Sequence, residues 1–182
     1  MKLKEVKDLC ETKWLVFREA TYINKEGNEA QWSFISRKGG QKVVTLVCRS
    51  QKSNKYLLIA QPRVPVNKIV IEFPAGLIDE GESVEAAGLR ELKEETGYGG
   101  TVLSVGPEVV KSAGLSDESA TIIELAVDEE AVGKTEMEPS EDIQSFWVTL
   151  QQFKKLAKSL DPETHTIDIQ VWCYFRAKIK SW

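Results

Sequence analysis

Gly76-Leu77-Ile78-Asp79-Glu80-Gly81-Glu82, continued after Ser83 by a helical lead-in and Arg90-Glu91-Leu92-Lys93-Glu94-Glu95-Thr96-Gly97-Tyr98, organises the rest of this chain. It sets five carboxylates, Glu80, Glu82, Glu91, Glu94 and Glu95, around one short segment between glycine-bearing turns. Ser83 has the chemistry of an N-cap and Gly97 that of a C′ residue, which predicts a helix from Val84 to Thr96. Glu91 and Glu95 are then i and i+4, and Glu94 is i+3 from Glu91, so the three carboxylates rise from one face. Like charges that close destabilise a bare helix. A hard divalent cation, bound by carboxylates together with substrate phosphates, turns the repulsion into a site. Composition alone leaves a second reading open, a solvated acidic face.

Spacing separates the two readings. Glycine, five residues, glutamate, seven residues, then Arg-Glu-aliphatic-x-Glu-Glu-x-Gly resembles the Nudix box at each defining position. Tyr98, in a final slot that is usually aliphatic, is the one mild departure. Such a motif needs a strand before it and a helix inside it. Ile69-Val70-Ile71-Glu72-Phe73 reads as that strand, running into Pro74-Ala75-Gly76, and the capped helix follows.

A chain of 182 residues with 42% hydrophobic content is long enough for one sizeable core, or for one domain with an appended subdomain. A net charge of −4 argues against a surface for nucleic acid, so a phosphorylated ligand is expected to be held locally by a few arginines and a metal. No run of apolar residues reaches membrane-spanning length, and the charged start, Met1 to Asp8, lacks a signal-peptide core. Cys10, Cys48 and Cys173 are scattered without metal-ligand spacing, which fits reduced thiols in the cytoplasm.

Outside the motif, Trp14 to Ile35 reads as two strands around the turn Asn24–Asn28. Arg37-Lys38-Gly39-Gly40-Gln41-Lys42 links this hairpin to strands at Val43–Arg49, Tyr56–Gln61 and Ile69–Phe73. Further strands are expected at Val102–Val105, near Val109–Lys111, at Ala120–Val127 and at Phe146–Val148. Thr149 to Gln152 has the form of a capping box, and Leu150, Phe153, Leu156, Ala157 and Leu160 follow at helical spacing. Asp168 is placed to cap a last helix with Val171, Phe175 and Ile179 on its core stripe. Many strands and few helices make an α+β or mixed α/β fold. The resemblance implies a mixed sheet sandwiched between helices over residues 42–182. It also implies an N-terminal antiparallel β subdomain over residues 1–41, like the one that takes part in the homodimer of the ADP-ribose pyrophosphatase branch.

The same resemblance implies a division of labour. Glu91, Glu95 and the carbonyl of Ala75 would hold Mg²⁺, with Mn²⁺ as a substitute, and Glu94 would complete the set directly or through water. Arg90 would pair with a carboxylate and hold the loop, with an ordinary surface ion pair as the other reading. For the base that activates water, Glu141 in Glu138-Pro139-Ser140-Glu141-Asp142-Ile143 is the candidate. Asp142 stays open beside it, as does the reading of this loop as a surface turn. His165, the single histidine, lies in a polar stretch and is expected in solvent.

Arg37 and Arg63 match positions that meet the diphosphate in that branch, where a guanidinium fork suits phosphate oxygens. Leu115 and Ser116 match the segment beside the terminal ribose. Trp14 and Trp32 resemble the aromatic pair that stacks on the base, although each also reads as core of the small sheet. The implied activity is hydrolysis of a nucleoside diphosphate sugar such as ADP-ribose. GDP- or UDP-sugars, oxidised nucleoside diphosphates and a non-catalytic sensing module are the alternatives.

Overall fold

The computed structural model describes residues 1–137 and 141–180. Its first three strands, β1 (Lys2–Glu11), β2 (Leu15–Ile23) and β3 (Glu29–Arg37), form an antiparallel sheet in the order β1-β2-β3. The sequence predicted only the β2–β3 hairpin. β1 escapes a periodicity reading because every one of its residues is exposed, so no alternation of apolar and polar side chains marks it. Leu3, Val6, Leu9, Trp14, Leu15, Phe17 and Trp32 leave large apolar surfaces uncovered on this sheet. Gly39 and Gly40, at φ of 78° and 68°, then turn the chain into the main sheet through a backbone region that disfavours side chains.

That main sheet contains β4 (Val43–Ser50), β5 (Lys55–Arg63), β6 (Lys68–Glu72), β8 (Gly100–Val110), β9 (Ser119–Val127) and β11 (His165–Ile167), in the order β11-β6-β5-β4-β9-β8. Two more strands join from the side: β7 (Ala75–Leu77) pairs with β4, and β10 (Gln144–Thr149) pairs with β5. The predicted strands at Val102–Val105 and Val109–Lys111 prove to be one strand, β8, whose register slips twice against β9. β7 and β11, three residues each, were not predicted, because so short a run carries no period.

β4 shows why the sheet is mixed. Val43 to Cys48 are all buried, without alternation, as in a strand covered on both faces. It pairs in parallel with β9, from Val43↔Ala120 to Ser50↔Val127. On one face α1 (Val84–Thr96) packs Ala87 and Leu92 against Val44, Leu46, Leu57, Ile123 and Leu125. On the other, α2 (Leu150–Ser159) and α3 (Ile169–Lys178) pack Phe153, Val171 and Phe175 against Val47, Leu58, Ile71 and Phe73. Each fully buried Leu, Ile or Phe contributes roughly 1.5–3 kcal/mol, so Leu92→Ala is expected to cost about 2–5 kcal/mol.

The helix limits are set by local chemistry. Ser83 accepts the amide of Ala86, and Gly97, at φ 73°, closes the end of α1 by donating its amide to Lys93. Thr149 and Gln152 make both bonds of the capping box on α2, and Asp168 caps α3 through the amide of Gln170. Val171, Phe175 and Ile179 are buried as a stripe. No helix among the described residues is long and apolar enough to cross a membrane.

Candidate active site

α1 carries its carboxylates to β7. Glu95, 4% exposed, accepts the amide of Ala75 at 3.1 Å. Glu91 lies one turn earlier, over Gly76, where a β-carbon would overlap its carboxyl group. The absence of a side chain at Gly76 is therefore what lets the Glu91 carboxyl group lie there. β7 is itself fixed by its pairing with Val43, Val44 and Thr45 of β4.

Arg90 binds the loop to the helix. Its Nε and Nη2 donate to Glu82 at 3.1 and 2.9 Å, and Nη2 also donates to the carbonyl of Leu77 at 2.9 Å. Its Nη1 donates to Glu91 at 2.8 Å and to Glu94 at 3.0 Å. Charge-assisted forks of this kind fix geometry as well as adding energy. The hydrogen bond from Arg90 holds the Glu82 carboxyl below its ordinary range. Burial pushes Glu91 up, against the opposing pull of Arg90. Glu95 is pushed up to about 8, first by burial and then by the charge of Glu91, while the amide of Ala75 pulls the other way.

These groups line a cleft of about 550 Å³. Glu91, Glu94, Glu95 and Arg90 form the helix wall, with Ala75, Gly76 and Leu77 beside them. Trp14, Arg37 and Arg63 enter from other elements, as does Glu141. Arg63 is held by Glu72 at 2.8 Å and Arg37 by Glu118 at 2.5 Å. The charge of Glu141 acts on both Glu91 and Glu95. Asp142, the next residue, lines a different cavity with His165, Phe146 and Leu160. Glu138, Pro139 and Ser140 of the same acidic loop lie outside the described residues.

Other candidates are placed apart from this cleft. Trp32 lines a separate cavity with Tyr22, Phe34 and Ser116, and its Nε1 donates to the carbonyl of Gly114 at 3.3 Å. Within one chain, then, Trp14 and Trp32 do not face a common space. Leu115 is exposed, and its carbonyl accepts the amide of Ile35. Glu80 is exposed and Glu82 faces Arg90. His165 is half-buried in β11, paired with Ile69, instead of standing in solvent as expected. Its neighbourhood became a strand because β6 offers it an edge.

Gln41, Asp79, Lys111 and Glu136 also line the cleft, and sequence reasoning had not singled them out. Each lies in a link or at a strand end, where spacing carries no signal. Only proximity to the motif marked Asp79.

The oxygen donors fit a hard divalent cation. Among the described residues no three His, Cys, Asp or Glu side chains form a ready cage, since Arg90 draws Glu91 and Glu94 and the Ala75 amide draws Glu95. The cluster nonetheless concentrates acidic groups where burial opposes ionisation, a cost that a bound cation relieves.

Comparison with known proteins places the chain among relatives. The NUDIX domain profile matches residues 39–167. The ADP-ribose pyrophosphatase of Saccharomyces cerevisiae is 33% identical over 180 residues, covering 92% of this chain and 78% of the relative. The ADP-sugar pyrophosphatase of Mus musculus is 32% identical, covering 91% of this chain and 82% of the relative. A crystal structure of an ADP compounds hydrolase superimposes with a TM-score of 0.69 at 22% identity, covering 90% of this chain and 85% of that one, a likeness of fold.

Proposed function

This chain belongs to the Nudix family, and we propose that it hydrolyses the pyrophosphate bond of a nucleoside diphosphate sugar, ADP-ribose in the first instance. Water adds to one phosphorus, the bridging P–O bond breaks, and the products are AMP and ribose 5-phosphate. The observation that carries the reading is the single cleft that gathers Glu91, Glu94, Glu95, Arg37, Arg63, Glu141 and Trp14.

Each residue has a physical task. Glu91 and Glu95, with the carbonyl of Ala75 and with Glu94, are the groups that would hold Mg²⁺ or Mn²⁺. Such a cation supplies neutralisation of the paired phosphate charges and stabilises the charge that builds in the transition state. Arg37 and Arg63 grip phosphate oxygens, exchanging Glu118 and Glu72 for the substrate. Arg90 keeps Glu82, Leu77 and α1 in register. Glu141 takes the proton of the attacking water, a role that commonly contributes about 10²–10⁴-fold. Trp14 stacks on the base, worth about 1–3 kcal/mol.

Trp32 completes that stack from a second copy of the chain. Residues 1–41 form the dimerisation subdomain and residues 42–182 the hydrolase domain. The uncovered apolar side chains of the first sheet support this assembly. Leu115 and Ser116 then border the sugar. Three unpaired cysteines support a reducing compartment, the cytoplasm, and the net charge of −4 supports a small-molecule substrate over nucleic acid.

The test is phosphate release from a panel of nucleotide sugars with Mg²⁺ and a phosphatase acting on the products. ADP-ribose is expected to lead the panel and chelation to abolish release. A protein that binds these compounds and cleaves none of them is a sensor instead.

A further inference from the structure

Among the described residues four cationic side chains line the cleft, and three are held closely by carboxylates. Arg90 is bound to Glu82, Glu91 and Glu94, Arg63 to Glu72, and Arg37 to Glu118. Lys111 differs. Its ammonium lies 3.7 Å from Oε2 of Glu118, beyond hydrogen-bond length, while Arg37 holds the other oxygen of that carboxylate. Its own amide donates to the carbonyl of Glu118 at 3.0 Å, so the backbone is fixed while the side chain keeps its reach.

Position gives this residue a meaning. Lys111 also lines a second cavity of about 550 Å³, between the sheet and α3, with Thr45, Val47, Phe73, Ile122 and Tyr174. Trp14 borders the first cleft and not the second. Lys111 lines both cavities, so a substrate with its base at Trp14 and its phosphates before Glu91 and Glu95 passes Lys111 if its remaining group extends toward the second cavity. The cleft as a whole is lined by Asp79, Glu91, Glu94, Glu95, Glu136 and Glu141, a field that repels any further anion. Lysine, a compact charge on a flexible stem with three donors, is suited to offset that repulsion.

We propose that Lys111 is a specificity-determining residue that meets the group beyond the diphosphate and admits nucleoside diphosphate sugars whose distal sugar itself carries a phosphate. The inference rests on the pyrophosphohydrolase reading of the cleft.

The test compares kcat/KM on ADP-ribose and on ADP-ribose bearing a phosphate on its terminal ribose, for the wild type, Lys111→Met and Lys111→Arg. The ratio of phosphorylated to plain substrate is expected to fall about 10- to 100-fold in Lys111→Met, the scale of a lost charge-assisted hydrogen bond. Lys111→Arg is expected to recover most of it. Equal losses on both substrates place Lys111 at the diphosphate and overturn the proposal, as does an unchanged ratio. A wild type that cleaves ADP-ribose and rejects the phosphorylated form also overturns it, leaving the hydrolase reading intact. Cleavage of neither compound removes both.

Discussion

The carboxyl group of Glu91 occupies the space that a side chain on Gly76 would need. Loop and helix approach so closely there because Arg90 ties Leu77 and Glu82 to the same helix. A residue of the loop thus sets where a residue of α1 can point.

Gly76→Ala should therefore act on Glu91 before it acts on the fold, since the overlapped atoms are the far end of a flexible side chain. We expect a folded protein with activity reduced about 10²-fold, the usual cost of a misplacement on the ångström scale. Circular dichroism and turnover measured on one preparation check both halves. Wild-type turnover would remove the proposed role of Glu91.

Glu141 and Asp142 line different cavities, so their variants should separate. Glu141→Gln is expected to lower kcat by about 10²–10⁴-fold with substrate binding retained. Asp142→Asn should stay within a few-fold of the wild type. The reverse ranking moves the base one residue along the chain.

Glu95 makes the metal-free protein pH-sensitive. Its carboxyl ionises near 4.5 when unfolded and near 8 when folded, so between those values the folded chain binds the extra proton. Stability contributed by this group is greatest at low pH and falls as pH rises from about 4.5 to 8. A cation needs the ionised carboxylate, so its apparent affinity should rise over the same window with release of protons. Glu95→Gln should flatten the decline, melt higher than the wild type at pH 8 without metal, and lose activity. Identical melting curves against pH for the two proteins would contradict the assignment.

Removing residues 1–36 deletes the exposed apolar face of the first sheet together with Trp14 and Trp32. The product is expected to be monomeric or aggregating, with weak nucleotide binding, although the whole carboxylate cluster remains. Light scattering of the intact chain should report twice the mass of one copy. An intact chain that is monomeric and fully active would exclude a site shared between copies.

Much of this architecture was legible because local chemistry fixed it. α1 runs from Val84 to Thr96 as its caps, Ser83 and Gly97, require, and Glu91 and Glu95 share a face by helical period alone. What escaped depended on partners distant in sequence. β7 is a strand only because β4 lies beside it, and β11 only because β6 does. Lys111 joins the cleft through the β8–β9 connection, where no period marks it. β1, exposed along its length, has no pattern to read.

The parallel pairing of β4 with β9 has a consequence for synthesis on the ribosome. Val43 must wait for Ala120, about 77 residues later, and at roughly 5–20 residues per second that delay is about 4–15 s. During it the run Val43–Cys48, apolar except for Thr45, lacks its parallel neighbour, so nascent chains stalled before β9 should recruit chaperones that released ones do not.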